Sequence, residues 1–174
     1  MLSVFTVCFF GHRRIEAFRL AETRTKALVR RLILEKEFVE FLVGQDGAYD
    51  QIVSSAIRQA KRELFAENST HVCILPYPKV ALTQNTQHFT RYYDEIEICE
   101  TSAAAHPKAA IQIRNRCMVD RSDLCVFFVE RQTGGAWKSM CYAVRQGKDV
   151  INLTVSSDSS SHRDLTTVHI DRPR

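Results

Sequence analysis

The sequence lacks any apolar run close to the roughly 20 residues that a membrane-spanning helix needs. It also lacks the HExxH, HxxxH and CxxC spacings typical of metal sites. We therefore predict no membrane partner, no metal ion and no cofactor. The sequence has no strong excess of one charge sign either, because 24 basic residues are balanced by 20 acidic ones, for a net charge of +4. That excess favours anionic ligands slightly and is far below that of a dedicated nucleic-acid-binding arm.

The cysteines indicate a reducing compartment. Of the six cysteines, Cys8, Cys73 and Cys125 lie inside apolar, strand-like runs, where a free thiol packs as a small hydrophobic group. Reduced core cysteines predict a cytoplasmic protein. Residues 1–10 are apolar but lack a basic leader and a small-residue cleavage site, so we predict a buried strand there and not a signal peptide.

Apolar runs alternate with amphipathic segments along most of the chain. We predict strands at residues 3–10, 38–43, 71–75, 96–99, 124–129 and 149–153. Helices are predicted at residues 16–36, 86–94, 107–119 and 136–146, and a further helix is marked by an apolar stripe from Ile52 to Leu64. This alternation predicts an α/β, Rossmann-like, doubly wound fold with a mostly parallel sheet flanked by helices on both faces. Residues 1–153 then form one domain, and residues 154–174 a Ser-rich C-terminal tail.

The candidate site lies where predicted strands end, since open α/β sheets bind ligands beyond the carboxyl ends of their strands. Gly11, His12 and Arg13 follow the first strand. The glycine lets the backbone approach a ligand closely, and His12 and Arg13 are expected to pair with a phosphate. The alternative is that Gly11 only turns the chain and the arginine is solvated.

Two further glycine segments precede predicted helices, whose free N–H groups and dipoles attract anions. Gly44 and Gly47 lead into the second helix, and Asp50 lies in its first turn. Asp50 either accepts a hydrogen bond from a ribose hydroxyl or simply caps the helix. Gly134 and Gly135 form a third strand-to-helix turn, suited to a phosphate.

Three other residues are candidates from helices. Arg114 and Asn115 lie on the helix predicted at 107–119, either as ligand-binding groups or as part of a basic exposed face. Trp137, which is the single tryptophan, either stacks on a base or packs in the core.

In order and spacing, these segments resemble the SLOG superfamily (Smf/DprA–LOG), in particular its small stand-alone bacterial and phage members that open with a strand followed by GHR. The matching stretches are Cys8–Arg13, Gly44–Asp50, Arg114-Asn115, Met118–Asp120, Ser122-Asp123, Gly134-Gly135 and Gln146–Lys148. The resemblance implies a Rossmann-like fold that binds nucleotides or nucleotide-derived molecules. Relatives include the DNA-processing protein DprA and the phosphoribohydrolases called LOG.

The chain departs from the enzymes of that superfamily at one loop. LOG enzymes carry a PGGxGTxEE loop with a catalytic glutamate, whereas residues 133–140 here read TGGAWKSM. Arg114 and Met118 do resemble the arginine and methionine of the LOG RKxxM motif. Cleavage of an N-glycosidic bond needs a carboxylate, which Asp50 or Asp120 would have to supply.

The sequence therefore favours a nucleotide-binding or nucleotide-sensing module, with a nucleotide-like small molecule as its partner. A nucleotide-processing hydrolase is the first alternative. Single-stranded DNA binding, as in DprA, is the second, and it depends on the basic residues of the first predicted helix forming a groove. The sequence leaves a homodimer open.

Overall fold

The computed structural model describes residues 1–80 and 86–155. The predicted tail lies outside the described residues from residue 156 onward. The strands are β1 (Val4–Gly11), β2 (Phe38–Val43), β3 (Ser69–Leu75), β4 (Glu95–Ile98), β5 (Leu124–Phe128) and β6 (Asp149–Asn152). The helices are α1 (Phe18–Glu35), α2 (Ala48–Leu64), α3 (Thr86–Tyr92), α4 (Glu100–Ala103), α5 (Pro107–Arg121) and α6 (Gly134–Arg145).

The six strands form one sheet in the order β4-β3-β2-β1-β5-β6, and every neighbouring pair is parallel. The chain builds outward from β1 to β4, then crosses back through α5 to place β5 on the other side of β1. The predicted α/β Rossmann-like fold is therefore confirmed. Its switch point, where ligands bind in folds of this kind, lies between β1 and β5.

Helices cover both faces of the sheet, so β1, β2 and β5 are buried on both sides. Alternate residues along β1 point to opposite faces: Val7 and Phe9 pack against α1 and α2, and Cys8 and Phe10 pack against α5 and α6. Phe18 belongs to the apolar stripe of α1 by sequence, but as the first residue of the helix it is 51% exposed.

Several boundaries differ from the sequence prediction by one or more residues. The last helix begins at Gly134 and not at Ala136, so both glycines belong to its first turn. Gly147 follows that helix with φ +69° and donates its N–H to Val144 O, as a left-handed residue after a helix C-terminus does. The short helix α4 was not predicted, because a single turn has no periodicity to detect.

None of the helices in the described part of the chain is long and apolar enough to cross a membrane.

Candidate functional site

An open cavity of about 660 Å³ lies at the switch point, beyond the carboxyl ends of β1, β2 and β5. Its volume is within the range of small-molecule sites. All ten residues predicted to bind a ligand line it: Gly11, His12, Arg13, Gly44, Gly47, Asp50, Arg114, Asn115, Gly134 and Gly135. The structure thus brings the three glycine segments and α5 together, and their role in binding stays a prediction.

Gly11 is a glycine because of a neighbouring side chain. A Cβ atom at this position would lie 2.4 Å from Cβ and Cγ of Tyr49, which is fully buried on α2. Tyr49 is held in turn by a 3.1 Å hydrogen bond between its hydroxyl and Thr25 on α1. Gly11 therefore lets the start of α2 pack directly against the end of β1.

His12 is buried, and its Nε2 accepts the backbone N–H of Arg131 at 3.1 Å. This hydrogen bond ties the end of β1 to the loop between β5 and α6. Burial lowers the pKa of His12, and the nearby Arg131 cation lowers it further. The imidazole is therefore a neutral acceptor that shapes the loop, which differs from the phosphate-pairing role expected from the sequence.

Arg13 is exposed at the cavity mouth. Its carbonyl accepts the N–H of Ala48 at 3.0 Å and so fixes the start of α2. Within residues 1–80 and 86–155 its guanidinium has no hydrogen-bonding or charged partner, so it is available to an anionic ligand.

Gly44 leaves room for two opposite charges. A Cβ atom here would lie 2.9 Å from Arg114 Nη1 and 3.1 Å from Asp50 Oδ2. Arg114 reaches across from α5 and donates from Nη1 to Ile74 O at 2.7 Å. Among the described residues, Arg114 and Asp50 form no direct ion pair, but the Arg114 cation lies close enough to interact with the Asp50 carboxyl.

Asp50 caps its own helix. Its Oδ2 accepts the N–H of Gly47 at 3.0 Å. Burial raises the pKa of Asp50, and the neighbouring Arg114 cation partly opposes that rise. The N-terminus of α2 therefore already holds a carboxylate where an anionic ligand would bind.

The N-terminus of α6 is different. Thr133 is its N-cap residue and makes no side-chain capping bond, and the first turn contains no acidic residue. Gly134 has φ +85°, a left-handed conformation that only glycine adopts without strain. This N-terminus presents free backbone N–H groups to the cavity, which is the usual arrangement for binding a phosphate.

Asn115 connects α5 to α6. Its Nδ2 donates to Ser139 Oγ at 3.1 Å, and Ser139 Oγ donates to Gly135 O at 2.9 Å. Asn115 is 7% exposed, so the sequence alternative of a basic exposed face does not apply to this part of α5.

Two other sequence candidates lie away from the cavity. Trp137 packs against the core on the α5 and α6 side and does not line the cavity. Asp120 is exposed near the end of α5 and accepts a hydrogen bond from the Tyr142 hydroxyl. A catalytic role for Asp120 is therefore not supported, and Asp50 is the one of the two candidate carboxylates that lines the cavity.

Sequence reasoning missed the loop that follows β5. Arg131 and Thr133 line the cavity between His12 and the start of α6. Neither belongs to a recognisable motif; the only available signal was their position directly after a buried strand. Ser139 was missed as well, because its contact with Asn115 spans 24 residues of sequence.

In the described residues, no group of three or more His, Cys, Asp or Glu side chains is placed to hold a metal ion.

A parallel six-stranded sheet with a cavity at its switch point defines an α/β, Rossmann-like protein. No protein-family model matches the sequence, and neither does any curated protein. Solved structures do match the fold. DNA processing protein A from Helicobacter pylori, described for its single-stranded DNA binding mode, has a TM-score of 0.61 at 17% identity, over 90% of this chain and 68% of that one.

Two more solved structures have a similar fold. DNA processing protein A (DprA) from Streptococcus pneumoniae has a TM-score of 0.63 at 13% identity, and the alignment covers 86% of this chain and half of that protein. The molybdenum cofactor binding protein from Rippkaea orientalis has a TM-score of 0.56 at 16% identity, covering 87% of this chain and 76% of that one. At these identities the likeness shows the fold alone, and the Rossmann-like fold implied by the resemblance is confirmed.

Proposed function

We propose that this chain is a binding module for a nucleotide or nucleotide derivative. The observation that carries the proposal is the contrast between the two helix N-termini at the cavity. The α2 N-terminus is occupied by its own Asp50, whereas the α6 N-terminus at Gly134 has neither a cap nor an acidic residue. An anionic group therefore has one favourable position, at α6.

Two basic side chains at the cavity also favour an anionic ligand. Arg13 lies beside the start of α2, and Arg131, which pairs with Glu16, lies in the loop that leads into α6; an arginine can form paired hydrogen bonds with phosphate oxygens. On the α2 side, Asp46 is paired with Lys79, and the Asp50 carboxylate disfavours a second anion and can accept a hydrogen bond from a hydroxyl or amino group. A ligand with one phosphate and a neutral, donor-bearing remainder fits this distribution.

The direct test is isothermal titration calorimetry of the purified chain with the four ribonucleoside 5′-monophosphates. Arg13→Ala should weaken the tightest of them by about 10-fold, because a hydrogen bond to a charged group is worth about 1.5 kcal/mol or more. Arg62→Ala is the matched control, since Arg62 is an exposed arginine at the opposite end of α2. If none of the monophosphates binds, or if both variants weaken binding equally, the proposal fails.

A second candidate function, N-glycosidic hydrolysis of a nucleotide, is favoured by Asp50 alone. Its carboxyl lines the cavity, and burial raises its pKa, as is common for acid–base groups. In that reaction water attacks the sugar carbon, the bond to the base breaks, and the base leaves with a proton. Asp50 is already committed to capping Gly47, and the first turn of α6 carries no second carboxylate, so we rank binding first.

Single-stranded DNA binding ranks third. On the basic helix α1, Lys26, Arg30 and Arg31 pair with glutamates. Arg24 donates to the carbonyls of Leu153 and Val155. These side chains are engaged within the protein, so α1 offers less positive charge to a nucleic acid than its sequence suggests.

A further inference from the structure

Two neighbouring side chains on α5 each carry a buried polar atom that lacks a partner among the described residues. The atoms are Nε of Arg114 and Oδ1 of Asn115, in residues that are 5% and 7% exposed. Both residues line the cavity. Buried polar atoms without a partner are destabilising and rare in native proteins, so two on adjacent residues at one cavity indicate that a ligand completes them.

The orientation of the Asn115 amide follows from its hydrogen bonds. Ser139 Oγ donates its single hydrogen to Gly135 O, so it can only accept from Asn115. The amide must therefore turn its NH₂ group toward Ser139, which leaves Oδ1 as the unpaired atom.

An amide oxygen accepts hydrogen bonds and cannot donate them. The oxygens of an ionised phosphate are also acceptors, so a phosphate cannot complete Asn115. The missing partner has to be an O–H or N–H group. Arg114 Nε requires the opposite, an acceptor, which a phosphate ester also supplies.

We propose that Asn115 is a specificity-determining residue, whose Oδ1 accepts a hydrogen bond from a hydroxyl or amino group on the organic part of a phosphorylated ligand. This inference rests on the proposed function and narrows its ligand class. Inorganic phosphate and polyphosphates offer no donor to Asn115 Oδ1, so we expect them to bind more weakly than a nucleotide. A sugar hydroxyl and an amino group of a base offer the same chemistry, and the test distinguishes them.

The experiment measures calorimetric affinities for the tightest-binding ribonucleoside 5′-monophosphate, its 2′-deoxy and 3′-deoxy forms, an analogue whose base lacks the amino group, and inorganic phosphate. In the wild-type chain, we expect one of the organic analogues to bind about 10-fold more weakly than the parent. That analogue identifies the donor as a sugar hydroxyl or a base amine. Inorganic phosphate should bind more weakly than every nucleotide.

Two variants separate recognition from structure. Asn115→Leu keeps the number of side-chain heavy atoms but removes the acceptor, so it should bind the parent and the critical analogue equally. Its melting temperature without ligand should change little, since the loss of the bond to Ser139 is offset by removal of an unpaired buried acceptor. Ser139→Ala removes the bond that orients the amide, together with the bond from Ser139 Oγ to Gly135 O, but keeps the Asn115 acceptor and should still distinguish the two ligands.

Equal wild-type affinity for the parent and all organic analogues would overturn this inference while leaving the proposed function in place. So would undiminished discrimination in Asn115→Leu, or a loss of discrimination in Ser139→Ala as large as that in Asn115→Leu. If no nucleotide binds the wild-type chain, the proposed function fails and this inference fails with it. The wild-type measurements need no variant, so they decide the question even if Asn115→Leu does not fold.

Discussion

His12 Nε2 accepts the backbone N–H of Arg131 at 3.1 Å, across 119 residues of sequence. This bond connects the end of β1 to the loop that leads into the α6 N-terminus. The groups that face the imidazole electrostatically are Arg131, Glu130 and Glu16. Burial and the Arg131 cation keep the imidazole neutral, and only the neutral ring can accept this N–H.

Ligand affinity should therefore fall as the pH drops below the ordinary histidine value of 6.5. Protonated Nε2 can no longer accept, and the loop loses a hydrogen bond worth about 1 kcal/mol, or roughly 5-fold in affinity. In His12→Gln, whose amide oxygen can replace Nε2, the affinity should vary less with pH. His106→Gln, at an exposed helix N-cap, is the control and should keep the wild-type pH profile. Identical profiles for all three proteins would refute this role of His12.

Gly11→Ala should destabilise the fold. The new Cβ would lie 2.4 Å from the buried Tyr49 side chain, and such overpacking costs about 1–3 kcal/mol. At Gly135 the same substitution meets only Nε2 of Gln112, at 3.0 Å, which is the flexible end of a side chain. Gly135→Ala should therefore change the free energy of unfolding by less than about 0.5 kcal/mol. Urea unfolding of the two variants provides the comparison, and equal losses would contradict it.

Burial of His71 makes the free energy of unfolding depend on pH. His71 is 1% exposed in β3, and burial lowers its pKa from 6.5 to about 4, although the nearby Asp94 opposes this. Because the unfolded state binds the proton more tightly, stability is fully present above pH 6.5 and is lost as the pH falls toward 4. Each tenfold change in proton affinity is worth about 1.4 kcal/mol, so the full loss approaches about 3 kcal/mol.

Urea unfolding at pH 7 and pH 5 tests this dependence. His71→Gln, whose amide can still bond to Ser54, should lose part of the decrease between the two pH values. An unchanged pH dependence in this variant would show that other groups, such as carboxylates, are responsible.

The fold could be read from the sequence because its signals are local. The apolar run at β1 and the stripe formed by Ala21, Leu28 and Leu32 on α1 specify a buried strand and a one-sided helix without reference to the rest of the chain. The alternation of such elements then leaves few topologies. Phe18 escaped prediction because its exposure depends on where α1 begins relative to the sheet.

The site could be read only in part. The glycine segments were visible because each follows a strand, and their convergence follows from the parallel sheet. The roles of His12 and Asn115 were not visible, since they depend on partners 119 and 24 residues away. The sequence suggested that His12 pairs with a phosphate, which stays a prediction; in the structure its Nε2 accepts the N–H of Arg131.

Asp50→Asn should stabilise the protein at neutral pH. Burial raises the pKa of the carboxyl, so the folded state binds its proton more tightly than the unfolded state. The contribution of such a group is most favourable at low pH and is lost as the pH rises through the folded-state pKa. An asparagine oxygen can still cap Gly47 and carries no charge, so the variant should have a higher free energy of unfolding at pH 7 and no advantage at pH 3.

The same variant decides between the two leading functions. If the chain is a binding module, incubation of the wild type with nucleoside monophosphates should release no free base above the rate without protein, as measured by chromatography. Asp50→Asn should then change only affinity and stability. Base release that scales with protein concentration and disappears in Asp50→Asn while nucleotide affinity persists would instead establish the hydrolase, because a carboxamide can neither act as a base nor stabilise a cationic sugar.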